Sequence, residues 1–232
     1  MHLSASKHPW LGIKVQRSQK RPDLRLVSGA DPVYAASAPS PEERLFQKIQ
    51  SNAADWQRET FDLFYVLVSR LMAKALGPSS EVEDLVGDVF LSLFENARNI
   101  RSATSLRSYV VSVAMNAARR ELRRRKQRAW FGSLAGSSDD LDRRPSVDDP
   151  RAKAALLQLD RILDELDSGE RIAFVLHSLE GMQLEEVAAA LDVSHSTAKR
   201  RVRRALEHLT KRVSRNALLS DYIRERTGRS DG

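Results

Sequence analysis

The chain has 232 residues, 41% of them hydrophobic, with a net charge of +7 and no cysteine. That is enough apolar material for one or two small domains with their own cores, and the missing thiols exclude disulfides and thiolate metal sites. No apolar run approaches the ~20 residues needed to span a bilayer, and the basic N-terminus lacks a continuous secretory apolar segment, so the expectation is a soluble, cytoplasmic protein without membrane insertion.

Residues 1–40 mix Ser, Ala, Pro and basic residues without sustained periodicity and read as a disordered tail. Helical patterning begins at Pro41-Glu42-Glu43 and strengthens from Trp56, where Phe61, Phe64, Leu67, Val68, Leu71 and Ala75 form a stripe that stops at Gly77-Pro78. Ser80 and Glu83 have the spacing of a capping box for the next helix. Behind that start Val82, Leu85, Val86, Val89, Phe90, Leu93 and Phe94 face inward, leaving Asp84, Gly87 and Asp88 on the outer surface. A third helix opens near Ser105 and buries Leu106, Val110, Val113, Ala114 and Ala117. Its outer side carries Ser112, Asn116, Arg119, Arg120 and Arg123.

That helix runs into Arg119, Arg120, Arg123, Arg124, Arg125, Lys126 and Arg128, opposed within the run by Glu121 alone. A dense basic stripe on one helix is the electrostatic footprint of a phosphate-bearing partner. The composition then changes to a Gly, Ser, Asp and Pro-rich stretch, so residues 131–150 read as a flexible acidic linker. Beyond it Leu156, Leu159, Ile162, Leu163 and Leu166 form one stripe, Ser168 is a candidate N-cap, and Ile172, Val175, Leu176 and Leu179 form the next before Gly181.

The segment from Leu184 to Leu209 has the pattern of a helix-turn-helix. Leu184, Val187, Ala188 and Leu191 recur at i, i+3, i+4 and i+7, Asp192-Val193-Ser194 breaks the period, and Ala198, Val202, Ala205, Leu206 and Leu209 form the buried side of a second helix. Ser196, Lys199, Arg200 and Arg203 then point outward, as in a helix that lies in a major groove. No segment alternates with a period of two. The expected fold is all-α, with a helical domain over 41–130, the linker, a helix-turn-helix domain over 151–212 and a tail over 213–232.

Two basic helical modules in this order resemble the two domains of bacterial RNA polymerase sigma factors of the sigma-70 family, in particular the compact extracytoplasmic-function (ECF) group. The resemblance is carried by EVEDLVGDVFLSLFENA from Glu81, SLRSYVVSVAMNAARRELRRRKQR from Ser105, and LDELDSGERIAFVLHSLEGMQLEEVAAALDVSHSTAKRRVRRALEHL from Leu163. The chain departs from the family pattern at Gly87, where Gln is usual, at Tyr109, where Trp is usual, at Asp192, where the turn residue is commonly Gly, and at Asp167-Ser168-Gly169, where a Pro-containing turn is common. Asp accepts the left-handed conformation better than most residues, which preserves the turn.

The resemblance implies a promoter-specificity factor that binds core RNA polymerase, reads −10 and −35 elements and helps open the DNA. Glu83, Asp84, Gly87 and Asp88 match the polymerase-facing surface. Asn116, Arg119, Arg120, Arg123 and Arg124 match the −10 reader, with capture of an unstacked base as the implied mechanism. His195, Ser196, Thr197, Lys199, Arg200 and Arg203 match positions that meet the duplex −35 element. An anti-sigma partner is a further possibility the family brings. The linker acids Asp139, Asp140, Asp142, Asp148 and Asp149 would be placed to imitate nucleic-acid charge, or would simply solvate a tether.

Other readings share parts of these features. A stand-alone regulator would use the helix-turn-helix on an operator without needing the Ser105–Arg128 pattern, and an adaptor would keep the fold without opening DNA. A nucleic-acid-processing enzyme needs a site that the sequence does not offer: no HExxH, P-loop or Gly-x-Ser-x-Gly occurs, the histidines have no metal-ligand spacing, and Asp84 and Asp88 alone make no metal site. Neither catalysis nor a cofactor is therefore expected.

Overall fold

The computed structural model describes residues 38–77, 79, 81–135 and 149–228, and among them the regular structure is entirely helical. Ser40 caps α1 (Pro41–Ser51): its Oγ accepts the Glu43 N–H at 3.1 Å while the Glu43 carboxylate accepts the Ser40 N–H at 2.7 Å. Proline at the first helical position costs nothing there, because that N–H has no intrahelical partner in any case. α2 (Trp56–Leu76) stops at Gly77, whose φ of 75° is open to glycine and costly for other residues.

The next helix, α3 (Val82–Asn96), leads through a 3-10 turn (Ala97–Asn99) into α4 (Ala103–Ala135). Ser80 lies outside the described residues, so the expected capping box is not seen. Glu81 stands at the N-cap without a side-chain cap, and its N–H reaches Ser79 Oγ at 3.3 Å. Helices α1 to α4 close on Phe64, Val68, Met72, Phe90, Val110 and Met115, with Trp56 edge-on to Phe94 at 5.5 Å. Phe61, expected inside, is 40% exposed and lies on the rim against Tyr65 and Phe90.

The second unit contains α5 (Pro150–Asp164), α6 (Ser168–Phe174), α7 (Leu184–Ala190), α8 (His195–Ser214) and α9 (Ala217–Gly228). Asp149 caps α5 by accepting the Arg151 N–H, which gives one of the linker acids a local structural task. Asp167, not Ser168, caps α6: its carboxylate accepts the Gly169 N–H at 2.8 Å, while Ser168 sits buried in the first turn. Leu156 and Leu179 are exposed, and Ala155 takes the buried place on α5.

Between α6 and α7 the helix widens into a π turn (Val175–Leu179), marked by an i to i−5 bond from the Glu180 N–H to the Val175 carbonyl at 3.0 Å. Asp192 takes the left-handed conformation (φ 50°) in the turn between α7 and α8.

Two boundaries differ from those expected. α4 continues to Ala135, so the helix reaches beyond the composition change at Trp130. Past residue 212 the chain does not run out as a tail. Asn216 caps a further helix through the Leu219 N–H, and Leu219, Tyr222 and Ile223, spaced i, i+3, i+4, place α9 against the core of the second unit.

The two units share a core. Ile172, Leu176, Val187 and Leu191 of the second pack into the same buried cluster as Leu71, Met72 and Ala118 of the first, with α6 and α7 against α4. A buried arginine joins them. Arg171, 1% exposed, gives Nε to the Ala75 carbonyl at 2.6 Å, Nη1 to Asp164 at 2.6 Å and Nη2 to Asp160 at 2.6 Å. Ala75 lies in the last turn of α2, where carbonyls have no helical partner and cations are favoured. Glu180, following the π turn, takes Arg70 at 2.8 Å and Lys74 at 2.7 Å, both from α2.

Candidate nucleic-acid interface

The start of α8 is held by Ser194, whose Oγ accepts the Thr197 N–H at 3.3 Å. Ala198, Val202, Ala205 and Leu209 anchor the helix inward, so His195, Ser196, Lys199, Arg200 and Arg203 stand on the exposed side. Thr197 is half-buried and hydrogen-bonded to Ser194, which makes it part of the cap rather than of the free surface. His195 lies 3.2 Å from Glu185 and Arg203 lies 3.6 Å from Glu207, exposed contacts that a stronger anion displaces readily. Lys199 and Arg200 form no ion pair among the described residues.

On α4 the basic run divides into two sets. Glu121 is 3% exposed and accepts Arg124 at 2.6 Å, Arg125 at 3.0 Å and Arg128 at 2.9 Å. Arg125 also donates to the Leu76 carbonyl at 2.9 Å, tying α4 to the end of α2. Arg124 is thus ion-paired within the helix although its side chain is 60% exposed, and Arg120 and Arg123 are exposed as well. Asn116 accepts from Arg119 at 3.0 Å, and both are half-buried rather than fully outward, since the second unit packs along α4. Burial, followed by the charges of Arg123 and Arg201, pushes the Arg119 guanidinium down from its ordinary value, while Asp167 acts in the opposite sense.

A third surface lies on α3. Glu83, Asp84, Gly87 and Asp88 are exposed on one side, and a Cβ added at Gly87 would meet nothing within 4 Å. Glycine is therefore not demanded there by packing. Leu91, one turn further along and 61% exposed, extends this acidic face with an apolar edge. Among the described residues no group of three His, Asp or Glu side chains is gathered in a way that could hold a metal ion, and no helix is long and apolar enough to cross a membrane.

Residues 60–128, from α2 into α4, match the Sigma-70 region 2 family, and residues 156–209, from α5 to α8, match the Sigma-70, region 4 family. The RNA polymerase sigma factor NccH of Alcaligenes xylosoxydans xylosoxydans is 30% identical over 143 residues, covering 60% of this chain and 76% of NccH. The chain belongs to the sigma-70 family, ECF group. Among other relatives of this sigma factor, the RNA polymerase sigma factor CarQ of Myxococcus xanthus is 26% identical over 70% of the chain and 92% of CarQ. The ferric citrate uptake sigma factor FecI of Escherichia coli is 30% identical over 59% of the chain and 79% of FecI. In fold, the sigma factor resembles CnrH, solved in complex with the cytosolic domain of CnrY, with a TM-score of 0.56 and 18% identity over 77% of this chain and 100% of that one. Helices α1 and α9 lie outside both family matches.

Arg124 follows from the basic pattern, but Glu121 as its organiser, and Arg171, Asp160 and Glu180 as links between the units, do not follow from a basic or apolar stripe within one helix. One signal was available for Glu121: a single acid i, i+3, i+4 and i+7 from arginines is placed to collect them.

Proposed function

We propose that this sigma factor directs core RNA polymerase to promoters by using three of its own surfaces. The exposed α8 set, with Lys199 and Arg200 at its centre, meets the duplex −35 element. Asn116, with Arg119, Arg120 and Arg123 beside it, takes the −10 strand, the arginines holding phosphates while the amide meets a displaced base. Glu83, Asp84 and Asp88, with the uncovered backbone at Gly87, face the polymerase. Arg124 contributes through Glu121, by stiffening the helix, more than by direct contact.

The observation that carries this reading is the order and placement of two matched regions, each presenting an exposed basic helix face. The protein supplies binding energy and position and no catalytic group, and it acts where the polymerase is, in the cytoplasm. A partner protein that covers these surfaces would act as an anti-sigma factor; CnrH, which shares the fold, is solved in complex with the cytosolic domain of CnrY.

The test is transcription in vitro with purified core polymerase and a genomic promoter library. Discrete start sites that require the added protein, and that weaken with Asn116→Ala and with Lys199→Ala/Arg200→Ala, support the assignment. Sequence-specific duplex binding by the protein alone, without polymerase-dependent initiation, would instead make it a stand-alone regulator.

A further inference from the structure

We propose that Trp130 and Phe131, toward the far end of α4, form a stacking platform for unpaired bases of the promoter strand. This role rests on the promoter-binding reading above and adds to it two residues that lie past the end of the region 2 match at residue 128. Both rings stand in water, Trp130 70% exposed and Phe131 67% exposed, on a helix that continues unbroken to Ala135. Apolar surface residues scattered singly are ordinary. Two adjacent aromatic rings left uncovered at the end of an arginine-rich helix are a different combination, the one that single-stranded nucleic acid takes: cations for the backbone and flat faces for the bases.

The register of α4 puts the rings in line with the proposed −10 reader. Asn116, Arg120, Arg123, Gln127 and Trp130 follow one another at intervals of four, three, four and three residues, which keeps them to one side of the helix, and Phe131 flanks that stripe. Arg120, Arg123, Gln127 and Trp130 are all exposed. Glu121 draws Arg124, Arg125 and Arg128 together on its own flank, so Arg120 and Arg123 are the guanidiniums aligned between Asn116 and the rings. At 1.5 Å per residue Trp130 stands roughly 21 Å along the axis from Asn116. Nucleotides stacked at about 3.4 Å each cross that gap in about six steps, and a pulled-out strand crosses it in fewer. Phosphates on Arg120 and Arg123 span the interval, and the rings receive bases a few nucleotides from the one that Asn116 takes. A protein partner would cover the rings but bring no row of phosphates to the arginines, whereas a DNA strand satisfies both. Every base has a π face, so the platform adds affinity without asking for a sequence. It favours the melted strand over the duplex, where the faces of the bases are already stacked on one another.

The test uses holoenzyme assembled from core polymerase and the full chain, with a forked probe built from a start site found in the library assay, its −10 non-template strand left unpaired. Single nucleotides of that strand are replaced by abasic ones, which keep the phosphate and remove the ring. With the unaltered protein, at least one abasic position a few nucleotides from the Asn116-dependent base should weaken binding about tenfold, the scale of one lost stack. Trp130→Ala/Phe131→Ala should weaken binding of the intact probe by a factor of about ten or more, with an unchanged melting curve because both side chains are exposed. Abasic replacement at the same position should then cost nothing further, since the ring it would have met is gone. Trp130→Tyr/Phe131→Tyr should restore both the affinity and the abasic effect. Unchanged affinity in the alanine variant, or losses that simply add at every abasic position, overturns the platform while an effect of Asn116→Ala leaves the promoter assignment standing. An equal loss in assembly with core polymerase when no DNA is present makes the rings a protein contact and overturns it as well. If the unaltered holoenzyme does not prefer the forked probe to a scrambled one and Asn116→Ala changes nothing, the promoter assignment itself falls and the platform falls with it.

Discussion

Glu121 accepts Arg125 Nε at 3.0 Å from a position 3% exposed, so the most basic stretch of the chain is organised around a buried acid. Arg124 and Arg128 complete the cluster, and three guanidiniums that would otherwise face phosphates are held on the protein. Glu121→Gln should release them without a large change in shape. The expected outcome is a loss of about 2–4 kcal/mol in stability, on the scale of a broken buried pair, together with tighter nonspecific DNA binding. Each guanidinium that gains a phosphate should steepen the salt dependence by about 0.9 in log–log slope, read from anisotropy titrations over a range of salt.

Arg171→Ala removes a 1% exposed guanidinium together with its hydrogen bonds to the Ala75 carbonyl, Asp164 and Asp160. The expected loss is about 3–5 kcal/mol, measured by urea unfolding.

Gly77→Ala combines a forbidden backbone conformation with a collision against Asp160. Strain of this kind costs on the order of 1–3 kcal/mol, and the contact adds to it. A loss of about 3 kcal/mol corresponds to a Tm lowered by roughly 6–12 °C in a chain of this length. Gly87→Ala should leave the melting curve at least as high, since its Cβ enters open space and alanine favours the helix by up to about 1 kcal/mol.

The family resemblance, the helix-turn-helix and the outward set on α8 were legible because each depends on spacing within a single helix. Val187, Ala188 and Leu191 repeat at helical intervals and are buried together. What escaped were residues whose role depends on another element. An arginine following Gly169 and Glu170 reads as a surface charge until the end of α2 arrives beside it. Phe61 lies on the α2 stripe by spacing, yet it sits at the edge of the bundle beside Tyr65 and Phe90 and stays 40% exposed. The helix at Ala217–Gly228 was hidden because its apolar residues are few and its role depends on lying against α5 and α8.

Acid should loosen the second unit at one identifiable point. Arg212 and then His208 hold the Glu165 carboxyl below its ordinary value, so its stabilising contribution is complete above the usual carboxylate range and is lost as pH falls through the lowered value. The group is partly exposed, which limits the effect to about 0.5–1 kcal/mol. Glu165→Gln should abolish that part of the acid dependence in unfolding curves collected from neutral pH downward.

At the promoter, Lys199→Ala and Arg200→Ala separate the two ways in which a basic residue contacts DNA. A base reader should relax sequence preference at one position at a cost of about 1–3 kcal/mol, whereas a phosphate contact should weaken all sequences alike and lower the salt slope by about one. Binding measured on a set of single-base −35 variants distinguishes these outcomes.

The π turn at Val175–Leu179 sets a phase. Restoring ordinary α winding over the same residues would rotate Glu180 by roughly a quarter turn about the helix axis, carrying its carboxylate away from Arg70 and Lys74 while every side chain kept its identity. The meeting of the two halves is therefore encoded as much by the winding of one turn as by the charges that the turn delivers.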